Sequence, residues 1–341
     1  MRIGVLTGGG DAPGLNAAIR AVARAAWREE FEVVGIRNGW LGLLTGDVFV
    51  LSPDAVSGIL PRGGTILGTS RTNPFKSADG VQRILETLRD RGIDVLVAIG
   101  GDDTLGVAQK LSEQGVRVVG IPKTMDNDIP GTDFTIGFDT AVNTVMFACD
   151  KLHPTAEAHH RVMVVEVMGR DAGWVAAVGG LAGGADIILV PEVPFSVDDV
   201  CERIRARHNR GKLFSIVVVA EGCKPTDLRT QFVQDTRVDE FGHVRLGGIG
   251  SVLGQEIEAR TGYETRVTVL GHLQRGGSPT VFDRVLATRF GVAAVDLITQ
   301  GRFGHMVALR GNKITAVPLS EGLSGSHTLD LNLYELAKIV A

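Results

Sequence analysis

Short β-branched apolar runs alternate along the chain with longer segments in which apolar residues recur at helical spacing. The short runs predict buried strands, because Val and Ile favour extended backbone. They are Ile3–Leu6, Val33–Ile36, Val95–Ile99, Val116–Ile121, Val162–Val167, Ile187–Val190, Ile216–Ala220 and Arg266–Leu270. The longer segments predict helices over residues 15–26, 81–88 and 105–114. This alternation predicts an α/β fold with mainly parallel sheets flanked by helices.

The length of the chain, 341 residues, allows two lobes that each bury a core. We expect one lobe of residues 1–138 and 254–304, and a second of 139–253 and 305–341. The net charge of −4 argues against a dedicated nucleic-acid binder. No apolar stretch approaches the ~18 residues of a membrane span, so we expect no membrane association. Three widely spaced cysteines have no zinc-type spacing and favour a reducing, cytoplasmic location.

Two motifs at predicted strand ends bring most of the candidate chemistry. Gly100–Thr104 (GGDDT) follows one predicted strand, and Pro122–Asp128 (PKTMDND) follows the next. Parallel strands end at a common edge of the sheet, where open α/β proteins bind ligands. Carboxylates at that density suit Mg²⁺ and a general base, and Lys123 suits a phosphate. The two motifs together indicate phosphoryl transfer.

Asp102 and Asp103 have a second interpretation, as N-cap residues of the helix predicted over 105–114. The second motif favours the metal interpretation, because its acidic residues cannot all cap one helix. Carboxylates that converge from two strand ends repel each other unless cations compensate. Mg²⁺, Lys123 and phosphate-binding arginines are the natural compensators.

The glycine-rich turn Gly8–Gly14 follows the first predicted strand and opens a helix. Consecutive glycines let backbone N–H groups approach an anion, and the helix N-terminus adds partial positive charge. The spacing matches neither GxxxxGK[ST] nor GxGxxG. A tight turn without a ligand is therefore the alternative to phosphate binding.

Further polar residues lie at predicted loops close to glycines. Arg71 and Arg170 have the planar fork that matches phosphate oxygens, although surface arginines are the alternative. The segment 271–277 offers His272, Gln274 and Arg275 for a sugar hydroxyl and a phosphate; the alternative is a hydrogen-bonded histidine in a turn. Glu221 at a strand end could accept hydrogen bonds from sugar hydroxyls, or could be a solvated strand end.

Taken together, these motifs resemble the phosphofructokinase family nearly from end to end. The resemblance rests on the segments 4–17, 62–65, 100–104, 122–128, 137–138, 165–170 and 271–277. It implies two Rossmann-like lobes with an active site in the cleft between them. It also implies phosphoryl transfer to the 1-hydroxyl of fructose 6-phosphate. The first lobe would bind the phosphoryl donor, and the second lobe would bind fructose 6-phosphate.

The resemblance implies a role for each matching residue. Asp126 would be the general base, Asp128 a supporting carboxylate, and Asp102 the Mg²⁺ ligand. The residues that would hold the moving phosphoryl group or the donor are Gly10, Arg71, Asp103, Thr104, Lys123, Thr124 and Arg170. Those that would hold the sugar phosphate are Thr124, Asp126, Asp128, Met168, Gly169, Arg170, Glu221, His272 and Arg275. Arg161 and Arg266 would reach the 6-phosphate from a neighbouring subunit, so the active site would be shared in a homo-oligomer.

Two positions bear on the phosphoryl donor. ATP-using members of the family resemble Gly-Gly-Asp-Gly-Ser/Thr and Pro-Gly-Thr-Ile-Asp-Asn-Asp, whereas this chain has Asp103 and Lys123 in place of the two variable glycines. The Asp103 side chain would add bulk and negative charge where the α-phosphate of ATP lies. Lys123 would bind pyrophosphate and stabilise the leaving phosphate. We therefore expect reversible transfer from pyrophosphate.

Three other hypotheses remain open at this point. The same enzyme would use ATP if the Asp103 side chain swung aside. An NAD- or lipid-kinase-like enzyme shares a Gly-Gly-Asp-Gly-Thr-type motif, but gives no reason for the 271–277 segment or for Arg161. A catalytically inactive sugar-phosphate sensor would not need Asp126, Asp128 and Arg170.

Overall fold

The computed structural model describes residues 1–228, 233–238, 241 and 244–340. They divide into two compact units. Unit 1 comprises Met1–Thr140, Phe241 and Arg275–His327, and unit 2 comprises Ala141–Val238, Val244–Gln274 and Thr328–Ala341. No helix within this part of the chain is long and apolar enough to cross a membrane.

Strands and helices alternate along most of the described chain. In order they are β1 (Arg2–Thr7), α1 (Leu15–Arg28), β2 (Glu32–Ile36), α2 (Trp40–Thr45), β3 (Val48–Val50), α3 (Gly80–Asp90), β4 (Val95–Gly100), α4 (Asp102–Glu113), β5 (Val118–Pro122), α5 (Phe138–His159), β6 (Val162–Val167), α6 (Trp174–Ala182), β7 (Ile187–Leu189), α7 (Val197–Asn209), β8 (Ser215–Ala220), β9 (Val233–Val238), β10 (Val244–Leu246), α8 (Ile249–Thr261), β11 (Thr265–Val269), α9 (Val281–Thr299), β12 (His305–Arg310), β13 (Lys313–Pro318), α10 (Leu319–Gly322) and α11 (Leu331–Val340). Short 3₁₀ turns cover Pro74–Lys76 and Gly271–Arg275.

Unit 1 is built on a seven-stranded sheet with the order β13-β12-β5-β4-β1-β2-β3. The five inner strands pair in parallel, and only the edge strands β3 and β13 run antiparallel. Side chains of β4 alternate between two cores: Val95, Val97 and Ile99 face one, and Leu96 and Ala98 face the other. A strand covered on both faces needs apolar residues throughout, which explains its continuous β-branched run.

Unit 2 contains a four-stranded parallel sheet with the order β11-β6-β8-β7. Helix α8 packs on β11 and β6, while α6 packs on β7 and β8. All six residues of β6 and of β8 are buried. β9 and β10 form a separate two-stranded antiparallel ribbon. Both units therefore have mainly parallel sheets flanked by helices, as the sequence predicts.

The two largest differences between this division and the predicted lobes concern residues 254–274 and 305–327. Residues 254–274 lie in unit 2 rather than with residues 1–138, because β11 pairs with β6. Residues 305–327 lie in unit 1, because β12 extends the large sheet beside β5. Both differences arise from strand pairings between segments far apart in sequence, for which a single sequence carries no local signal.

Asp283 in α9 anchors the first residues of α5 within unit 1. Its carboxylate is fully buried and accepts hydrogen bonds from the backbone N–H of Gly137 (2.9 Å) and of Thr140 (2.8 Å), and from the Thr140 hydroxyl. Burial raises the pKa of Asp283 to about 6, and the three hydrogen bonds only partly oppose this. The folded protein therefore takes up a proton at Asp283 at a higher pH than the unfolded chain does.

We expect the stability of the wild-type protein to rise relative to an Asp283→Asn variant as the pH falls. Asp283 gains a proton in the folded state near pH 6 and in the unfolded state only near its ordinary value of 3.8. From pH 7 to pH 5, this linkage adds about 1 kcal/mol to the free energy of unfolding of the wild type alone. Urea unfolding of both proteins at the two pH values measures it. If the difference in the free energy of unfolding between the two proteins were the same at both pH values, the raised pKa of Asp283 would be contradicted.

Candidate active site

Three loops of unit 1 leave neighbouring strands at the same edge of the sheet. β1 pairs with β4 as far as Thr7 and Ile99, and β4 pairs with β5 as far as Gly100 and Pro122. The strand ends are therefore level. The glycine turn after β1, the start of α4 after β4 and the acidic loop after β5 emerge side by side. This confirms that the two predicted motifs lie at one rim.

The glycine turn packs too closely on its neighbours to carry side chains. A Cβ built at Gly8 would lie 2.6 Å from the Thr104 hydroxyl, and one at Gly10 would lie 2.6 Å from an Arg275 guanidinium nitrogen. The Gly9 N–H donates to the Ser70 carbonyl (3.1 Å), and the Gly9 carbonyl accepts from the Thr69 hydroxyl (2.6 Å). The turn is thus fixed on both sides and brings its backbone next to Thr104 and Arg275.

Lys123 lies beneath this turn and is 3% exposed. Its ammonium donates to the carbonyl of Gly8 (3.2 Å) and to that of Gly10. Burial lowers the pKa of Lys123 to about 8; the guanidinium of Arg275 lowers it further, and three carboxylates oppose the shift. These carboxylates belong to Asp11, Asp126 and Asp128. Lys123 is thus a buried cation between the glycine turn and the acidic loop.

The acidic residues of the two motifs influence one another electrostatically. Burial raises the pKa of Asp128, and the carboxylates of Asp126 and Asp102 raise it further. A hydrogen bond with Thr124 partly opposes this effect. The same Thr124 hydroxyl accepts from the backbone N–H of Asp126 (3.1 Å). Because ionised carboxylates in this cluster repel one another, a bound cation would stabilise them. Mg²⁺ is the cation that oxygen ligands together with phosphate select.

The described residues contain no group of three or more side chains placed to hold a metal ion on their own. Mg²⁺ is commonly bound through one or two carboxylates together with substrate phosphates and water. Asp102, exposed in the first turn of α4, fits such a partial ligand set.

Helix α4 begins three residues earlier than predicted. Its N-cap is Gly101, and both Asp102 and Asp103 lie in the first helical turn. The interpretation of these aspartates as N-cap residues is therefore wrong. Their carboxylates place negative charge at the positive end of the helix dipole, where it is stabilised. Thr104, the next residue, is buried against the glycine turn.

The two predicted arginines of unit 1 occupy different surroundings. Arg275 donates to the Asp11 carbonyl (3.1 Å) and borders Gly10. Arg71 is exposed and directly follows Ser70, the residue that holds Gly9. Sequence reasoning gave Asp11 no role, although its position inside the glycine motif offered a signal.

The second set of predicted residues lies at the carboxyl edge of the unit 2 sheet. Adjacent strands β6 and β8 end level at Val167 and Ala220, and the predicted residues follow directly: Met168, Gly169 and Arg170 after β6, Glu221 after β8, and His272 after β11. The Gln274 amide carbonyl accepts from the Met168 N–H (3.4 Å), which ties the first and last of these loops together. Gln274, which the sequence offers for a sugar hydroxyl or a phosphate, is fully buried and ties these loops together.

Close backbone packing fixes the loop after β6. A Cβ at Gly222 would lie 1.7 Å from the Arg170 carbonyl, and Gly169 has a left-handed φ of +138°. The Gly222 N–H donates to the Gly169 carbonyl (3.1 Å). Glycines at 169 and 222 therefore allow Arg170 and Glu221 to leave adjacent strands side by side.

Arg161 and Arg266 lie at the opposite, amino edge of the same sheet. Both guanidinium groups bond to Glu264, Arg161 at 2.8 Å. The guanidinium of Arg161 lowers the pKa of Glu264. β6 separates Arg161 from Met168 by six residues, or about 20 Å of extended strand. Within unit 2, the structure does not bring these two arginines together with the predicted sugar-binding residues at the carboxyl edge.

Comparison with known proteins identifies the family of the chain. The family model for phosphofructokinase matches residues 2–298. The chain belongs to the phosphofructokinase family.

Relatives in the family differ in the donor that their names state. The chain is 56% identical to the pyrophosphate–fructose 6-phosphate 1-phosphotransferase of Amycolatopsis methanolica, over 99% of each chain. It is 50% identical to ATP-dependent 6-phosphofructokinase 3 of Streptomyces coelicolor, over 100% of each chain. Among solved structures, phosphofructokinase of Pichia pastoris in the T-state matches with a TM-score of 0.84 and 32% identity, covering 99% of this chain and 36% of that one.

We expect Lys123 to lose its proton far below the ordinary lysine pKa of 10.5. A lowered pKa means that the ammonium is charged below about pH 8 and neutral above it. ¹³C NMR of lysine Cε nuclei in the labelled protein would show one resonance that titrates near pH 8. The same resonance should be missing from a Lys123→Met variant, which serves for assignment. If every lysine titrated near pH 10, burial of a charged Lys123 would be contradicted.

Proposed function

We propose that this protein is a pyrophosphate-dependent 6-phosphofructokinase. It transfers a phosphoryl group reversibly from pyrophosphate to the 1-hydroxyl of fructose 6-phosphate, with Mg²⁺ as cofactor. The observation that carries this proposal is that Asp103, in the first turn of α4, and Lys123, after β5, both lie at the edge formed by β1, β4 and β5.

Asp103 supports pyrophosphate through repulsion of a longer donor. The N-terminus of α4 would otherwise suit a phosphate, since helix N-termini bind anions. Here the first turn already carries the carboxylates of Asp102 and Asp103. A third phosphate and its nucleoside would meet like charge and a side chain at this position, whereas pyrophosphate has no group to place there.

Lys123 supports pyrophosphate through attraction. Its ammonium lies against the carbonyls of Gly8 and Gly10 in the glycine turn. A fixed, buried cation stabilises negative charge that grows on a leaving phosphate more strongly than a solvated one would. The lowered pKa still leaves most of the Lys123 population charged at neutral pH.

The acidic loop supplies the proton acceptor. Asp126 takes the proton of the 1-hydroxyl, Asp128 supports it, and Thr124 orients both through its hydroxyl. Asp102 is the residue that would hold Mg²⁺, which neutralises the phosphates when bound. Neutralisation of the cluster keeps Asp126 and Asp128 ionised, the form that a general base requires.

The unit 2 residues bind the sugar phosphate in this proposal. Glu221 accepts hydrogen bonds from sugar hydroxyls, and Arg170 serves the transferred phosphoryl group. Met168, Gly169 and His272 complete the contacts of unit 2 to the sugar phosphate, and we propose that Arg275 of unit 1 contacts it as well. In unit 1, Gly10, Arg71, Thr104 and Lys123 hold the donor.

Arg161 and Arg266 act in the site of a neighbouring subunit. The proposal follows from their position at the amino edge of the sheet, remote along β6 from the loop 168–170 of their own chain. Glu264 keeps the two guanidinium groups together in the single chain. A dianionic 6-phosphate matches two forked cations. The enzyme is accordingly a homo-oligomer with shared active sites.

A second candidate is an ATP-dependent 6-phosphofructokinase. It is favoured by the 50% identical Streptomyces coelicolor relative, whose name states ATP. The two candidates share the fold, the base and the sugar site. They differ only in whether the Asp103 side chain leaves room for ATP.

We expect turnover of fructose 6-phosphate with Mg²⁺ and pyrophosphate, and little turnover with ATP at equal concentration. An Asp103→Gly variant should gain ATP-dependent activity by about tenfold or more, since removal of one repulsive charge is worth 1–2 kcal/mol. A coupled assay for fructose 1,6-bisphosphate compares both donors for both proteins. Turnover with ATP alone would overturn pyrophosphate as the donor, and silence with both donors would favour an inactive sugar-phosphate sensor.

We expect an Asp126→Ser variant to lose roughly 10²- to 10⁴-fold in kcat while still binding fructose 6-phosphate, because removal of a general base costs that much. Calorimetry measures the binding of fructose 6-phosphate, and the coupled assay measures kcat. Asp54→Ser changes an exposed aspartate of the same unit and serves as the control. A rate above about a tenth of wild type for Asp126→Ser would assign the base elsewhere.

A further inference from the structure

The acidic loop is held in place by a residue far along the chain. The backbone N–H of His327 donates to the carbonyl of Asp128 (2.9 Å), and its imidazole Nδ1 lies 2.8 Å from the carbonyl of Asn127. A carbonyl oxygen only accepts, so Nδ1 carries the proton in this contact. His327 is the last residue of the C-terminal segment assigned to unit 1.

These two carbonyls belong to the two peptide groups that flank Asp128. The Asn127 carbonyl is part of the peptide bond before Asp128, and the Asp128 carbonyl is part of the one after it. With both planes held, the backbone dihedrals of Asp128 are fixed, and with them the direction in which its side chain leaves the chain. His327 therefore determines where the Asp128 carboxylate can point.

Asn127 is held from its other side as well. It adopts a left-handed backbone conformation (φ +54°) and is 1% exposed. Its amide oxygen accepts from the Thr135 N–H (3.0 Å) and hydroxyl (3.2 Å), while its amide nitrogen donates to the Asp133 carbonyl (3.1 Å). A non-glycine residue at positive φ persists where its surroundings over-determine it. The side chain and the carbonyl of Asn127 are thus both engaged, with Asp126 and Asp128 on either side.

The segment that ends at His327 also holds the far side of the loop. The Thr132 hydroxyl accepts from the Leu309 N–H (2.9 Å), and the Gly131 N–H donates to the Gly322 carbonyl (3.1 Å). The Asp133 carboxylate accepts from the Gly311 N–H (2.6 Å). All these partners lie beyond residue 298, where the family-model match ends. This part of the chain shapes the loop that carries the proposed base.

We propose that His327 is a positioning residue for phosphoryl transfer, which it serves by holding the two peptide groups around Asp128. The inference rests on the proposed function, because it assigns Asp126 and Asp128 to the reaction. The contribution of His327 is to keep the carboxylates in the geometry that the transition state requires, where a misplacement of about 1 Å costs about 100-fold in rate.

Three substitutions separate the hydrogen bond from other effects of the side chain. His327→Asn keeps an N–H donor at the δ position, His327→Gln moves the donor to the ε position, and His327→Leu removes it. We expect His327→Asn to keep kcat within about threefold of wild type, and the other two to lose about 10- to 100-fold. The KM values for both substrates should change by no more than about threefold, because the loss is confined to the transition state.

A purely structural role for His327 would not produce this pattern, in which His327→Asn keeps kcat while His327→Gln and His327→Leu lower it. If His327 only stabilised the fold, the variants would lower the melting temperature and leave kcat per folded enzyme unchanged. Wild-type kcat in His327→Leu would overturn the proposal. An equal loss in His327→Asn and His327→Leu would overturn it too, since the δ donor would then have no special role.

Amide hydrogen exchange tests the inference even if the proposed reaction is absent. Peptides that cover residues 124–136 should exchange faster in His327→Leu and His327→Gln than in wild type and in His327→Asn. If wild type turns over no donor but this exchange pattern holds, the proposed function fails and the positioning of the loop stands. Unchanged exchange in His327→Leu would show that His327 does not hold the loop.

Discussion

The buried ammonium group of Lys123 is the interaction on which the arrangement of the site depends. An unpaired ammonium in a dry interior is costly, so it must be compensated. The carbonyls of Gly8 and Gly10 supply the hydrogen bonds, and the carboxylates of Asp126 and Asp128 supply the opposing charge. The glycine turn is thereby fixed in shape, and the acidic cluster is partly neutralised before any ligand binds. Burial lowers the pKa of Lys123, and the surrounding carboxylates only partly oppose this shift.

That interaction is possible only because the parallel strands end level. β4 lies between β1 and β5, and the pairing of Gly100 with Pro122 brings residue 123 across the end of β4 toward the first turn. The absence of side chains at Gly8, Gly10 and Gly100 removes the remaining steric obstacle, since a Cβ at each would overlap Thr104 or Arg275. The family motif is therefore a set of packing requirements as much as a set of chemical groups. A substitution at one of these glycines would displace Thr104 or Arg275 although neither residue itself is changed.

The sequence reveals the strands and the site loops because their signals are local. A β-branched run such as 95–99 forms a strand buried on both faces, and the polar residues that follow it are then placed by topology alone. The sequence does not reveal the pairing of β11 with β6, because that contact joins segments about a hundred residues apart. It also misjudges the start of α4, since acidic residues favour both a cap and a first turn. His327 gives no signal, because its role depends on a backbone contact with residues 200 positions earlier.

The placement of Arg161 and Arg266 at the amino edge of the unit 2 sheet has a consequence for the symmetry of the assembly. In the proposed sharing, each chain lends these arginines to a neighbour and receives a neighbour's arginines in return. A two-fold axis satisfies this requirement and completes two sites with one interface. A head-to-tail contact completes only one site per interface. Unless such contacts close into a ring, the terminal chain receives no arginines from a neighbour. The proposed sharing of these arginines therefore favours subunits paired across a two-fold axis.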